Sequence, residues 1–109
     1  MMELLRQCLP QLRYIRYYLK GKKLETYLKT VSNSIVKCIA QISLNLMYSH
    51  KNGINLNKLQ IKKLKPFEKS MKALFTLKSV KKQKKLLKKP LVYTLLSVML
   101  PIADKMGID

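Results

Sequence analysis

LETYLKTVSNSIVKCIAQISLNL, residues 24–46, places Leu24, Leu28, Val31, Ile35, Cys38, Ile42 and Leu46 at successive spacings of 4, 3, 4, 3, 4 and 4. Residues three and four apart share one face of an α-helix, so the stretch predicts a single long amphipathic helix. Its other face carries Glu25 and Lys29 in the favourable acid-before-base i, i+4 order, with Lys37, Gln41 and Asn45 beyond them. The stripe must be covered by another element or by a second copy of the chain. Its period is also that of a coiled coil, which leaves self-association open.

Outward from this helix the same spacing recurs. In residues 2–19, Leu5, Cys8 or Leu9, Leu12, Ile15 and Leu19 line one face. Pro10 stands inside that pattern, so the helix either restarts with Pro10 near its first turn or kinks there. Gly21 supplies the break before residue 24. On the other side, residues 49–57 hold turn chemistry, with Asn52-Gly53 the point of chain reversal. Asn57 with Gln60 three residues on forms a capping box, opening a helix through Leu64, Phe67, Met71, Leu74 and Phe75. Pro66 kinks or breaks it around Lys65. Ser79 caps a further short helix through Leu87, which Pro90 stops.

The remaining stretch, PLVYTLLSVMLPI at residues 90–102, has no charged side chain. It is shorter than the roughly 20 apolar residues that span a bilayer. It suits a short hydrophobic helix, frayed by Pro101 and Gly107, that either packs on the core or meets an anionic membrane or partner through Leu91, Val92, Leu95, Leu96, Val98, Met99 and Leu100. The expected fold is all-α: a small bundle of three to five helices over residues 1–76, a lysine-rich helical arm over 77–89, and a hydrophobic C-terminal segment over 90–109.

Composition bounds function more sharply than fold. The 109 residues include 20 Lys and 3 Arg against 5 acids, a net charge of +18. Such a chain repels itself until phosphates or acidic headgroups neutralise it. Lysine is a hydrated point charge and lacks the planar fork with which arginine reads base edges, so the bias favours sequence-blind phosphate neutralisation. Cys8 and Cys38 lie in apolar helical patterns and read as reduced core residues. Residues 1–9 carry Glu3 and Arg6, which argues against a signal peptide there.

Catalysis finds no footing. His50 is the one histidine and has no acid near it in sequence, so a solvated turn residue is the plain reading. Two cysteines and one histidine at separations of 30 and 12 residues match no zinc pattern, and three glycines make no phosphate loop. No metal or cofactor is expected. The chain reads as a binding protein, not an enzyme.

The candidate binding residues are Lys58, Lys62, Lys63, Lys65, Lys69, Lys72, Lys78, Lys81, Lys82, Lys84, Lys85, Lys88 and Lys89: 13 positive charges in 32 residues, opposed only by Glu68. A merely solvated helix face normally mixes signs, whereas these lysines repel one another at most i, i+3 and i, i+4 positions. Nucleic acid is the expected partner. Neutralising about ten phosphates would make log affinity fall with log salt at a slope of roughly nine. Tyr14, Tyr17 and Tyr18 among Arg13, Arg16 and Lys20 could stack on bases, but long amphipathic side chains more often cover a helix packing surface.

The order of parts resembles a known family. An apolar helix, an Asn/Gly turn, NLNKLQIKKLKPF (residues 55–67), SVKKQKKLL (79–87) and PLVYTLLSVMLP (90–101) are similar to the small basic proteins of adintoviruses and Polinton-type elements, which are compared with the adenovirus core protein X (mu). The similarity covers about residues 34–100. Where that family has a Gly-Gly step after the lysine helix, this chain has Pro90, Leu91 and Val92. The resemblance implies a virion component that condenses double-stranded DNA, with capsid proteins as neighbours, in the virion and the host nucleus.

Overall fold

The computed structural model describes residues 2–107, so residues 1, 108 and 109 of the expected terminal segments lie outside the described residues. Seven α-helices follow in order: α1 (Met2–Tyr18), α2 (Lys22–Lys29), α3 (Asn33–Met47), α4 (Lys58–Leu64), α5 (Glu68–Thr76), α6 (Val80–Leu86) and α7 (Lys89–Lys105). Tight 3₁₀ turns lie at His50–Asn52 and Lys65–Phe67. There is no strand among the described residues. The all-α bundle expected from the spacing is therefore what the chain forms: five helices within residues 1–76, then one in the lysine-rich segment and one in the C-terminal segment.

The long helix expected over residues 24–46 is two helices. The chain leaves α2 at Thr30, and Ser32 starts α3 by accepting a hydrogen bond from the Ile35 N–H at 3.3 Å. Thr30 and Val31 are β-branched, and a serine competes with the helix backbone while making a good N-cap, so the local chemistry favours a break. The apolar spacing runs across the break because Leu28, Val31 and Ile35 all reach the same core.

The remaining punctuation falls where the residues place it. Gly21 and Gly53 take positive φ, 57° and 69°, at the start of α2 and after the His50–Asn52 turn. Asn57 and Gln60 make the reciprocal capping box at 2.8 and 2.9 Å. Pro66 sits in the 3₁₀ turn that separates α4 from α5. Of the two other internal prolines, Pro10 lies within one helix, the second of its two expected outcomes, and Pro101 does not fray α7 as expected. α1 runs through Pro10 and α7 through Pro101. Both rings are exposed, so each carbonyl freed by a missing proline N–H is best placed to meet water, while apolar contacts on either side hold the helix.

α3 is the central element, packed on α1, α5, α6 and α7. Ile35, Val36, Cys38, Ile39, Ala40, Ile42, Ser43, Asn45 and Leu46 are all buried, so α3 is covered nearly all round instead of on one stripe. The Ser43 hydroxyl donates to the Ile39 carbonyl at 3.1 Å, and Asn45 Oδ1 accepts from Gln41 Nε2 at 3.0 Å, while Asn45 Nδ2 is buried without a partner among the described residues. One continuous core runs from Leu5 on α1 to Ala103 on α7. Ile54, in the turn region, contributes to it at 2% exposure. The three segments expected from composition thus share a single interior.

Leu91, Val92, Leu95, Leu96, Val98, Met99 and Leu100 are all buried in that core. In this fold they pack on the other helices, the first of the two arrangements open to the segment. Pro101 and Gly107 do not shorten α7 below 17 residues, and its far end is tied to α1 by the Arg13–Asp104 ion pair at 2.7 Å. Among the described residues no single helix is long and apolar enough to cross a membrane.

Candidate nucleic-acid interface

The 13 lysines distribute over successive elements from α4 to the start of α7. Lys58, Lys62 and Lys63 stand on α4, Lys65 on the following turn, and Lys69 and Lys72 on α5. Lys78 lies in the connection to α6, which carries Lys81, Lys82, Lys84 and Lys85. Lys88 immediately precedes α7 and Lys89 opens it. All are exposed except Lys84 and Lys89, which are partly covered. Among the described residues, Lys89 alone of the 13 has an ion-pair partner, Glu25 at 3.6 Å. Glu25 was expected to pair along its own helix with Lys29; it reaches α7 instead.

Gln83 explains why the lysine helix lies against the bundle. It is the one buried residue of α6, at 7% exposure. Its Nε2 donates to the Leu74 carbonyl at 2.7 Å and to the Leu77 carbonyl at 3.0 Å. The last carbonyls of a helix lack intrahelical partners, so Gln83 satisfies the end of α5 while pinning α6 to it. Ser79 caps α6 from the other side, accepting from the Lys82 N–H at 3.4 Å. Leu87 then enters the core, and α7 departs at a bend of 92°. The expected arm is a packed helix with its charged side turned outward.

Two concavities gather cations that are separate in sequence. The larger, about 750 Å³, lies where α2, α6 and the start of α7 meet, and brings Lys81, Lys84, Lys85, Lys88 and Lys89 to Lys29. The smaller is a notch of about 320 Å³ lined by Arg16, Lys63, Tyr93, Thr94 and Ser97. Tyr93 is held there by donating its hydroxyl to the Leu19 carbonyl at 2.6 Å. Lys29 gave no sign in sequence of belonging with the basic run, because only the tertiary fold sets α2 beside α6.

The N-terminal tyrosines do not cover a packing surface. Tyr14, Tyr17 and Tyr18 are exposed, Tyr14 stacks on Tyr18 at 5.6 Å between centroids, and Arg16 lies over the Tyr17 ring at 5.7 Å. They form an aromatic and cationic patch beside the notch. Elsewhere the chemistry is quiet. His50 is exposed in its turn, and among the described residues no group of three or more His, Cys, Asp or Glu could hold a metal ion.

The two cysteines are buried and free, facing one another between α1 and α3. The Cys8 thiol donates to the Ser34 carbonyl and the Cys38 thiol to the Leu4 carbonyl, each the residue four before the other cysteine. Burial, and then the neighbouring Cys8, push the Cys38 thiol well above its ordinary pKa. Cys38 therefore sits as a neutral core group. Compared with protein-family models, with curated proteins and with solved structures, the chain matches none.

Proposed function

We propose that this protein binds double-stranded DNA without sequence preference and condenses it by neutralising phosphates, as a minor core component of a virion. The observation that carries the reading is the outward-facing lysine surface of α4, α5, α6 and the start of α7, in which one of 13 ammonium groups has a protein counter-ion among the described residues. A folded surface with that much unneutralised charge favours a polyanion. The long dimension of the molecule is 33 Å. At one charge per ~1.7 Å of duplex, that length carries roughly 19 phosphates on both strands, and the half turned toward the protein is about the ten whose neutralisation gives a slope of roughly nine. The virion, the host nucleus and contacts with capsid proteins belong to the same proposal and rest on the resemblance to the basic core proteins.

The test is duplex binding over a salt series. The expected log–log slope lies between about six and nine, with equal affinity for unrelated sequences. A slope near zero, or no binding in dilute buffer, sinks the reading. Genes for capsid proteins and a protease beside the gene for this chain would support the virion assignment. Membrane action is the other proposal, and it would require α7 to leave the core that it completes. Liposome leakage by the folded chain, lost when Leu95 and Leu96 are made polar, would favour it.

A further inference from the structure

The cleft between α2, α6 and the start of α7 differs from the rest of the basic surface. Around one opening it sets the six lysines Lys29, Lys81, Lys84, Lys85, Lys88 and Lys89 against a single carboxylate, Glu25, a local balance of +5. Glu25 already reaches Lys89 at 3.6 Å, so the mouth holds one internal counter-ion for six cations. The floor is apolar, formed by the buried Leu28 and Leu87 with Pro90 beside them. α7, a helix of 17 residues, presents its amino end here, and no side chain caps it. Helix amino ends favour anions, which adds to the lysine field without creating it.

This combination selects its occupant by shape and charge. A volume of about 750 Å³ lies within the range of small-molecule sites and is far too narrow for a duplex. A ligand of phosphate alone would leave the apolar floor wet. A diacyl lipid carries much more apolar volume than Leu28, Leu87 and Pro90 can cover. A nucleoside triphosphate has roughly four negative charges at neutral pH for the rim and a flat base for the floor. We propose that the cleft is a binding site for a nucleoside polyphosphate, with Glu25 as the internal anion that its phosphates displace from Lys89. The proposal does not depend on duplex binding, and its test contains no DNA.

The experiment titrates the full chain with ATP, with inorganic tripolyphosphate and with adenosine at physiological salt, using calorimetry. Expected are one ATP site per chain and an affinity about tenfold above that of tripolyphosphate. Glu25→Gln should tighten ATP several-fold, because a competing anion is gone. The double variant Lys84→Gln with Lys88→Gln should weaken it about tenfold, whereas Lys37→Gln with Lys51→Gln leaves it unchanged. Amide resonances of Leu28 and Leu87 should shift on ATP addition in the unmodified chain, a reading that needs no variant. Several equivalent sites, equal binding of tripolyphosphate, equal loss in the two double variants, or unmoved Leu28 and Leu87 resonances would each overturn the assignment.

Discussion

Gln83 joins the charge-bearing surface to the fold through two hydrogen bonds from a single nitrogen. Replacing it by methionine keeps the length of the side chain but leaves the carbonyls at the end of α5 without their donor. Gln83→Met should lower unfolding stability by about 1–3 kcal/mol in urea titration. Lys82, its exposed neighbour, should tolerate glutamine with a change within about 0.5 kcal/mol. At Cys38 the sign follows from burial. A thiol whose folded pKa is raised supplies stability that is full below its unfolded value and is lost as pH rises through the folded one. Alkylation of the native chain at mildly alkaline pH should accordingly run roughly a thousandfold slower than in urea, measured by mass spectrometry, since reaction waits for opening of the α1–α3 contact. That both cysteines are core residues was readable from their apolar neighbours. That they face each other was not, because the pairing depends on how α1 crosses α3.

Capping chemistry fixed several element boundaries better than periodicity did. The Asn57 and Gln60 box and the Ser79 cap stand where the residue types put them. The break at Ser32 carried the same kind of signal, but an unbroken run of apolar spacings masked it: α2 and α3 both turn their apolar residues inward, so the pattern does not record a change of direction. Ser32→Ala should cost about 1 kcal/mol, measured by thermal unfolding, and should not fuse α2 with α3, since Thr30 still ends α2. Polar positions of α3 were the harder case. Asn45 reads as surface from its place opposite the stripe, yet it is buried because α3 is packed on four other helices, a fact of packing that no local pattern contains. The cleft is similar, because Lys29, Lys84 and Lys89 come from three elements that only the folded chain brings together.

At the scale of the whole molecule, a net charge of +18 is held on a globule whose Cα radius of gyration is 12.8 Å. Self-repulsion of that order opposes folding, and salt screens it. Raising the salt from low to high concentration should lift the melting temperature by about 5 °C, and duplex DNA at low salt should lift it further, both read by scanning calorimetry. The single core makes the last helix decisive. α7 supplies Leu91, Val92, Leu95, Leu96, Val98, Met99, Leu100 and Ala103, so a chain ending before Pro90 should lose cooperative unfolding altogether. The order of synthesis then matters. The ribosome makes the basic run as far as Lys88 before it makes the helix that closes the interior against which α3 and α6 pack. During that interval the nascent chain is strongly cationic, has its apolar residues uncovered, and emerges beside ribosomal RNA. The basic surface therefore takes its final form only when α7 closes on α3.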